Sequence, residues 1–259
     1  MILTRMRLAV FHFCIVTGAI LVASLAVAQD EGPKMIPAPD RGADEGGGPY
    51  GRLIIRGATL IDGTGSPPRG PVDIVIENNR IVDVKSVGYP GLEIDESKRP
   101  TDATREIDAH GQYVMPGIID MHTHTGGSTK APEAEYSYKL WMGHGITTVR
   151  GVPSSNNEFS LSEKARSERN EIVAPRIFSY HRPGSGAEFT GRKILTAEDA
   201  REWVRYIAGE GADGLKLGSY RPVIMEALLD EARKQGLGST AHLGQMGVAQ
   251  MNAQNSARL

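Results

Sequence analysis

The stretch that decides the interpretation of this chain is VMPGIIDMHTH, at residues 114–124. It is an apolar strand that ends in two histidines separated by one residue. Residues i and i+2 of an extended chain point to the same side, so His122 and His124 can direct both imidazoles toward one point. The pattern predicts a metal site at the mouth of a strand. The alternative is a pair of ordinary surface histidines.

The context of the histidine pair favours the metal interpretation, because the apolar lead-in and the Pro-Gly break are not expected from a chance H-x-H match. Asp120 precedes the pair. We interpret it as a partner that orients a histidine, or as a cap on the strand end, rather than as a ligand. Three other histidines lack such context and are predicted to be plain surface or core residues. They are His110, His144 and His181.

The N-terminal residues 1–28 are predicted to be a signal peptide. Arg5 and Arg7 give a charged start, an apolar run follows, and the segment closes on the small-x-small pattern that ends at Ala28. The apolar run is short for a spanning helix, which favours cleavage near Ala28 over a retained membrane anchor. We therefore expect an exported protein, periplasmic or secreted, with no stable membrane anchor.

Composition is typical of a globular domain, with 40% hydrophobic and 23% charged residues and a net charge of -2. No basic stripe is present, so a nucleic-acid partner is not expected. The single cysteine, Cys14, lies in the predicted signal peptide, so the mature chain would have no disulfide and no cysteine ligand. Residues 29–51 are rich in glycine, proline and charge and are predicted to be a flexible leader.

Two structural regions follow the leader. Residues 52–112 contain short apolar runs between turn residues, with a hairpin at Asn78-Asn79, and predict a small β-sandwich unit. Residues 113–259 alternate strand and helix patterns, which is typical of a parallel α/β layout. The predicted fold class is therefore α/β, a partial TIM-like (β/α) barrel with about five of eight strands, preceded by the β unit.

The candidate site residues fall at strand ends in this layout. His122 and His124 end the first predicted barrel strand, Lys216 lies in the fourth, and His242 ends the fifth. Because the C-terminal ends of barrel strands converge on one site, these four residues are the predicted metal ligands. Arg182 and Tyr220 follow strands on the same rim and are candidate substrate contacts.

These motifs resemble the amidohydrolase superfamily, in the branch that has a β-sandwich beside the barrel and a two-metal centre. Cyclic-amidase, imidazolonepropionase-like and prolidase-like enzymes belong to that branch. The matching segments cover the chain from about residue 52 to its end. They are residues 61–65, 116–124, 145–150, 211–216 and 241–242.

The resemblance implies two divalent metal ions. His122 and His124 would bind the more buried metal, Lys216 carboxylated on its amine would bridge both, and His242 would bind the second. Histidine and carboxylate oxygen donors suit zinc. A lysine beside two cations loses its charge through desolvation and like-charge repulsion, and its neutral amine can then take up carbon dioxide. The alternative for Lys216 is an ordinary salt-bridged lysine.

The activity implied by the resemblance is hydrolysis of a C–N bond in an amide, cyclic amide or dipeptide, through a metal-activated hydroxide. Export favours a prolidase-like enzyme that acts on a small-molecule or dipeptide substrate. Two alternatives remain open: a non-catalytic metal-binding fragment, and a phosphotriesterase- or lactonase-like hydrolase. Homo-oligomerisation of a full-length protein is also left open.

The site is expected to be incomplete in these 259 residues. A complete barrel takes about 250 residues, more than follow residue 113. The family's further histidine ligand and its general acid/base aspartate lie on later strands, expected beyond Leu259, so no catalytic residue is assigned. We expect the chain alone to hydrolyse nothing efficiently, unless a second polypeptide completes the barrel.

Overall fold

A computed structural model describes residues 35–124, 132–151 and 156–258. All of them belong to one unit, Pro33–Leu259. The predicted signal peptide, residues 1–28, lies outside the described residues. Within the described residues, no helix is long and apolar enough to cross a membrane.

The first sheet is a mixed five-stranded sheet, in which β2 and β3 form the predicted hairpin around Asn78, a residue with a φ of 55°. Strand β1 pairs with β2 antiparallel and with β4 and β5 parallel. The strands are β1 (Arg52–Leu60), β2 (Arg69–Glu77), β3 (Arg80–Ser86), β4 (Arg105–Asp108) and β5 (Tyr113–Val114). The small β unit is confirmed, and its described residues form one sheet with its own apolar core around Ala58, Val72 and Ile74.

The boundary between the two regions differs from the predicted one. Tyr113 and Val114 belong to the first sheet, where Tyr113 is the register partner of Thr59 on β1. The strand predicted from Val114 onward is therefore broken at Pro116-Gly117, because proline has no N–H to donate to a strand ladder. The first barrel strand begins at Ile118, five residues after the predicted boundary at residue 113.

The second sheet consists of five parallel strands in sequential order, and it confirms the partial barrel. Its strands are β6 (Ile118–Thr123), β7 (Ile146–Gly151), β8 (Arg176–His181), β9 (Gly214–Leu217) and β10 (Gly238–Ala241). The helices are α1 (Ala134–Gly143), α2 (Asn157–Glu168), α3 (Ala197–Gly209), α4 (Pro222–Lys234), α5 (Gln245–Gln250) and α6 (Ala253–Ser256).

The two long helices beside β9 begin where the sequence predicts. Thr196 accepts a hydrogen bond from the backbone of Asp199 and Asp199 caps Thr196 in return, so α3 opens with a complete capping box. Helix α4 has Pro222 in its first turn, and Gly236 follows its end with a φ of 72°. These helices set the spacing of the strands on which the predicted ligands lie.

The strands of the second sheet alternate between two environments. Side chains on one face pack against the helices, and Val149, Leu215 and Leu217 on that face are buried. The opposite face, toward the barrel interior, is more open, and Phe178 of β8 is 45% exposed there. Lys216, which alternates with Leu215 and Leu217 along β9, therefore belongs to the inner face.

The described part of the predicted flexible leader is packed against the helices, in contrast to the expectation for residues 29–51. Ile36 forms a parallel bridge with Glu133, and the buried Ala38 contacts a cluster that includes Tyr138 of α1 and Phe159 of α2. The Ala38 N–H donates to a carboxylate oxygen of Glu163 at 3.0 Å. Composition alone missed this packing because it depends on a buried carboxylate that is distant in sequence.

Candidate metal centre

The histidine pair lies at the C-terminal end of β6 with its two rings side by side. The ring centroids of His122 and His124 are 5.2 Å apart. Thr123, between them, is buried and pairs with Gly151 on the helix-packed side of β7. Alternation along the strand therefore directs both imidazoles to the opposite, inner face, as predicted.

Asp120 acts on the backbone of the histidine strand. Its Oδ1 accepts a hydrogen bond from the His122 N–H at 2.9 Å. This is a local turn contact two residues along the chain, typical of aspartate at a strand end. Of the two roles predicted for Asp120, the geometry matches the strand-end cap.

Lys216 lies on the inner face of β9 beside the histidines. Its side chain is buried, with a residue exposure of 5%, and it makes no ion pair within the described residues. Burial lowers the pKa of the Lys216 ammonium, and the positive charges of Arg182 and Arg150 lower that pKa further. A salt-bridged lysine, the alternative interpretation, is not what the described residues form.

His124 shares this environment. Burial lowers the pKa of its imidazole, and the charges of His122, Lys216 and Arg182 add to the effect. A neutral imidazole is the form that binds a metal. The structure thus brings together three of the four predicted ligands and Arg182, one of the two predicted substrate contacts.

His242 is placed by strand register. Lys216 and Thr240 are partners on β9 and β10, and His242 follows Thr240 by two residues. Partners on neighbouring parallel strands face the same side, so His242 belongs to the same face as Lys216. Its backbone N–H donates to the Leu217 carbonyl at 2.9 Å, which continues the ladder by one residue.

Tyr220, the second predicted substrate contact, is half-buried against the core between α3 and α4. Burial raises the pKa of its hydroxyl, and the charge of Arg182 acts in the opposite direction. Tyr220 and Arg182 are therefore close enough to interact electrostatically, at the rim where Lys216 lies.

The remaining histidines lie elsewhere. His181 is fully buried on the helix-packed face, where Nε2 is 2.8 Å from the Ser179 hydroxyl, and burial lowers its pKa to about 4. His144 follows α1, with its Nδ1 2.8 Å from the Leu140 carbonyl. His110 is exposed in the β unit. The prediction of plain core and surface residues agrees with these positions.

The donors on the inner face fit a metal centre only if Lys216 contributes. In the described part of the chain, no three His, Cys, Asp or Glu side chains gather as a metal-binding group. Asp120, the described carboxylate closest to the pair in sequence, accepts a hydrogen bond from the His122 backbone. Lys216 is buried and forms no ion pair with the residues that the structure describes. If its amine is carboxylated it supplies an oxygen donor, so the residues present fit the predicted group.

Sequence reasoning assigned no role to Arg150 or Tyr180. The Arg150 guanidinium lies over the Tyr180 ring, 5.2 Å from its centroid, on the inner face below the predicted ligands. Thr240 accepts a hydrogen bond from the same guanidinium. The sequence signal for this arrangement is a glycine at the start of β9, Gly214, and another at the start of β10, Gly238. Tyr180 occupies the space that a side chain at either position would fill.

Parts of the chain are similar to curated enzymes. A 120-residue stretch is 52% identical to adenine deaminase of Methanoculleus marisnigri, covering 43% of this chain and 21% of that protein. A 150-residue stretch is 27% identical to dihydroorotase of Thermus aquaticus, covering 56% and 30% of the two chains. These partial similarities support the resemblance to the amidohydrolase superfamily. No protein-family profile matches it.

Solved structures of the superfamily support the fold. A Xaa-Pro dipeptidase with bound methionine superposes with a TM-score of 0.60 at 22% identity, covering 77% of this chain and 58% of that chain. A solved amidohydrolase gives 0.57 at 20% identity, covering 74% and 56%. The chain spans between a fifth and a third of the two curated relatives, and more than half of these structures.

Proposed function

We propose that this chain carries the first half of the active site of a metal-dependent hydrolase that acts on C–N bonds of small molecules. The observation that carries the proposal is the juxtaposition of the His122–His124 pair with the buried Lys216 on the inner face of the half-barrel. His242 completes the donor set from the next strand.

Each of these residues has a distinct part in the proposal. His122 and His124 would hold one cation through their imidazole nitrogens. The Lys216 amine would take up carbon dioxide with formation of an N–C bond and release of one proton, and the resulting carboxylate would supply oxygen ligands to the metal ions. His242 would hold the second cation. Bound divalent ions, with zinc suited to this donor set, would supply a water nucleophile at neutral pH and polarise the scissile carbonyl.

Substrate binding is assigned to the rim. Arg182 lies near His124 and Lys216, and the planar fork of a guanidinium suits a substrate carboxylate. The hydroxyl of Tyr220 is close enough to Arg182 to be influenced by its charge, and it is a second candidate substrate contact. A carboxylate beside a C–N bond is a feature of dipeptides, which supports prolidase-like specificity within the wider class.

The names of the relatives support the wider class and widen the range of substrates to test. They include adenine deaminases, dihydroorotases and an N-acyl-D-aspartate deacylase. The substrate panel therefore needs a dipeptide with a C-terminal proline, adenine, dihydroorotate and an N-acyl amino acid. Preference for the dipeptide would support the narrower, prolidase-like proposal.

Metal content is the first test, measured by elemental analysis on the 259-residue chain and on the longest natural polypeptide that contains it. We expect two metal ions per chain in the longer form. The number should fall in Lys216→Ala and in His122→Ala, and stay unchanged in His110→Ala, which replaces an exposed histidine of the β unit. Absence of metal from the longer form would overturn the proposal.

Carboxylation of Lys216 has its own readout. With 13C-labelled bicarbonate, the metal-loaded protein should show a carbamate carbon signal that is absent from Lys216→Ala. Metal binding without that signal would remove the bridging role of Lys216 while leaving the histidine ligands in place.

A further inference from the structure

Arg150 connects strands that are not neighbours in the second sheet. Its Nε donates to the Met121 carbonyl of β6 at 2.8 Å, and its Nη2 donates to the Thr240 hydroxyl of β10 at 3.3 Å. Arg150 itself lies on β7. One side chain thus joins the first and last described strands of the half-barrel across its interior.

Tyr180 supports this guanidinium from below. The ring lies under Arg150 at a distance suited to a cation–π contact, 5.2 Å from centroid to guanidinium carbon. Its other side is closed by two glycines. A Cβ on Gly214 would come within 2.4 Å of the Tyr180 ring, and a Cβ on Gly238 within 2.4 Å of its hydroxyl.

Glycine is needed at both positions because a larger side chain would clash with Tyr180. The backbone conformation does not require it, since neither glycine has a positive φ. The start of β9 and the start of β10 are therefore shaped to admit one tyrosine. Tyr180 then fixes where Arg150 can lie. This is a built interior layer, made by side chains from β7, β8 and β10.

The ends of the Arg150 bridge are adjacent to the predicted ligands. Met121 directly precedes His122. Thr240 is the register partner of Lys216 and lies two residues before His242. Arg150 is thus hydrogen-bonded to a residue next to the histidine pair and to a residue next to Lys216 and His242.

We propose that Arg150, supported by Tyr180, is a positioning residue that sets the separation between the His122–His124 strand end and the Lys216–His242 strand ends. The expected effect on metal affinity rests on the proposed function. The hydrogen bonds of Arg150 to β6 and β10 do not depend on a bound metal. Loss of the bridge should loosen β6 and β10 relative to each other even in the metal-free protein.

The test compares Arg150→Met with Thr240→Val, which removes only the hydroxyl at one end of the bridge. Arg176→Met is the matched control, because Arg176 is an exposed arginine of β8 with no ion pair in the described residues.

Zinc alone is the probe. We expect zinc affinity to fall about tenfold in Arg150→Met, the effect typical of losing a group that orients ligands. Thr240→Val should lower it less, the double variant should be no weaker than Arg150→Met, and Arg176→Met should match the unsubstituted protein.

A second readout uses the metal-free protein. Hydrogen exchange at the amides of His122 and His242 should be faster in Arg150→Met than in Arg176→Met. Unchanged zinc affinity in both Arg150→Met and Thr240→Val would overturn the positioning role, even if stability fell. Absence of zinc binding by the unsubstituted protein would instead overturn the proposed function. Faster exchange in that case would still support the bridge as the tie between β6 and β10.

Discussion

Asp120 is bonded to the backbone of His122 and not to its ring, through an Oδ1 that accepts the His122 N–H at 2.9 Å. The carboxylate therefore shapes the strand end from which the imidazole projects. This relationship separates two roles that the sequence left open, since a backbone cap needs an acceptor oxygen but not a negative charge.

Asp120→Asn should therefore leave zinc affinity unchanged, because the asparagine side-chain oxygen can accept the same hydrogen bond. Asp120→Ala should lower the free energy of unfolding by about 1 kcal/mol. Zinc titration and chemical denaturation of both variants check this. A loss of zinc affinity in Asp120→Asn would show that the negative charge is required and would contradict the cap.

Asp73 should make the β unit sensitive to acid. Its carboxylate is fully buried, and it accepts hydrogen bonds from Arg99, Arg56 and the Gly57 N–H. Burial alone would raise the pKa of Asp73, but these three partners outweigh burial and hold the pKa below its usual 3.8.

A carboxyl whose pKa is lower in the folded state contributes stability above its unfolded pKa and loses it as the pH falls through the folded value. The free energy of unfolding should therefore fall below about pH 4. Asp73→Asn should remove much of this dependence and cost about 3 kcal/mol at pH 7, because the buried carboxylate shared by Arg56 and Arg99 is lost and only their more exposed partners, Glu106 and Glu96, remain. Asp83→Asn, an exposed change on β3, is the control. Equal acid sensitivity in Asp73→Asn and the control would refute the assignment.

Glu163 should anchor the segment that begins near Ile36. Its side chain is 2% exposed and accepts both the Ala38 N–H and the Arg166 guanidinium. Glu163→Ala should speed hydrogen exchange at the Ala38 amide and make residues 35–50 sensitive to protease, because the buried N–H loses its acceptor. Glu168→Gln, an exposed change on the same helix, should have neither effect. A protected Ala38 amide in Glu163→Ala would mean that the apolar contacts alone hold the segment.

Gly238→Ala should destabilise the protein by about 1–3 kcal/mol, because the added methyl group would meet the Tyr180 hydroxyl at 2.4 Å. Combining it with Tyr180→Phe should restore part of the loss, since the conflicting atom is then absent. Gly209→Ala, in α3 with nothing within 4 Å, should be neutral or slightly stabilising. Thermal unfolding of the unsubstituted protein, Gly238→Ala, Tyr180→Phe and the double variant measures the coupling, with Gly209→Ala as the control. If the effects of Gly238→Ala and Tyr180→Phe on stability were strictly additive, the added methyl group would not be in conflict with the Tyr180 hydroxyl.

The mature protein should begin at Gln29. Expression in a host with a general secretion pathway, followed by N-terminal sequencing of the exported chain, checks the cleavage predicted after Ala28. Replacement of Ala28 with a bulky residue should retain the precursor. An exported protein that keeps its first residues would favour a retained anchor instead.

Local chemistry allowed the sequence by itself to determine the succession of elements. The capping box at Thr196, the helix start at Pro222 and the two-residue turn at Asn78 each act within a few residues, and all are found where predicted. The spacing of His122 and His124 fixed their common face for the same reason, since alternation along a strand is a local property.

Only the tertiary structure decided which distant groups meet. Pairing with β1 draws Tyr113 into the first sheet, and Glu163 binds an amide 125 residues away. The Arg150 bridge joins residues 29 and 90 positions away along the chain. Such contacts depend on strand order, curvature and the space left by Gly214 and Gly238. A sequence pattern does not give the strand order, the curvature or the space between side chains. The distance between side chains that are far apart in sequence is fixed only when the chain folds.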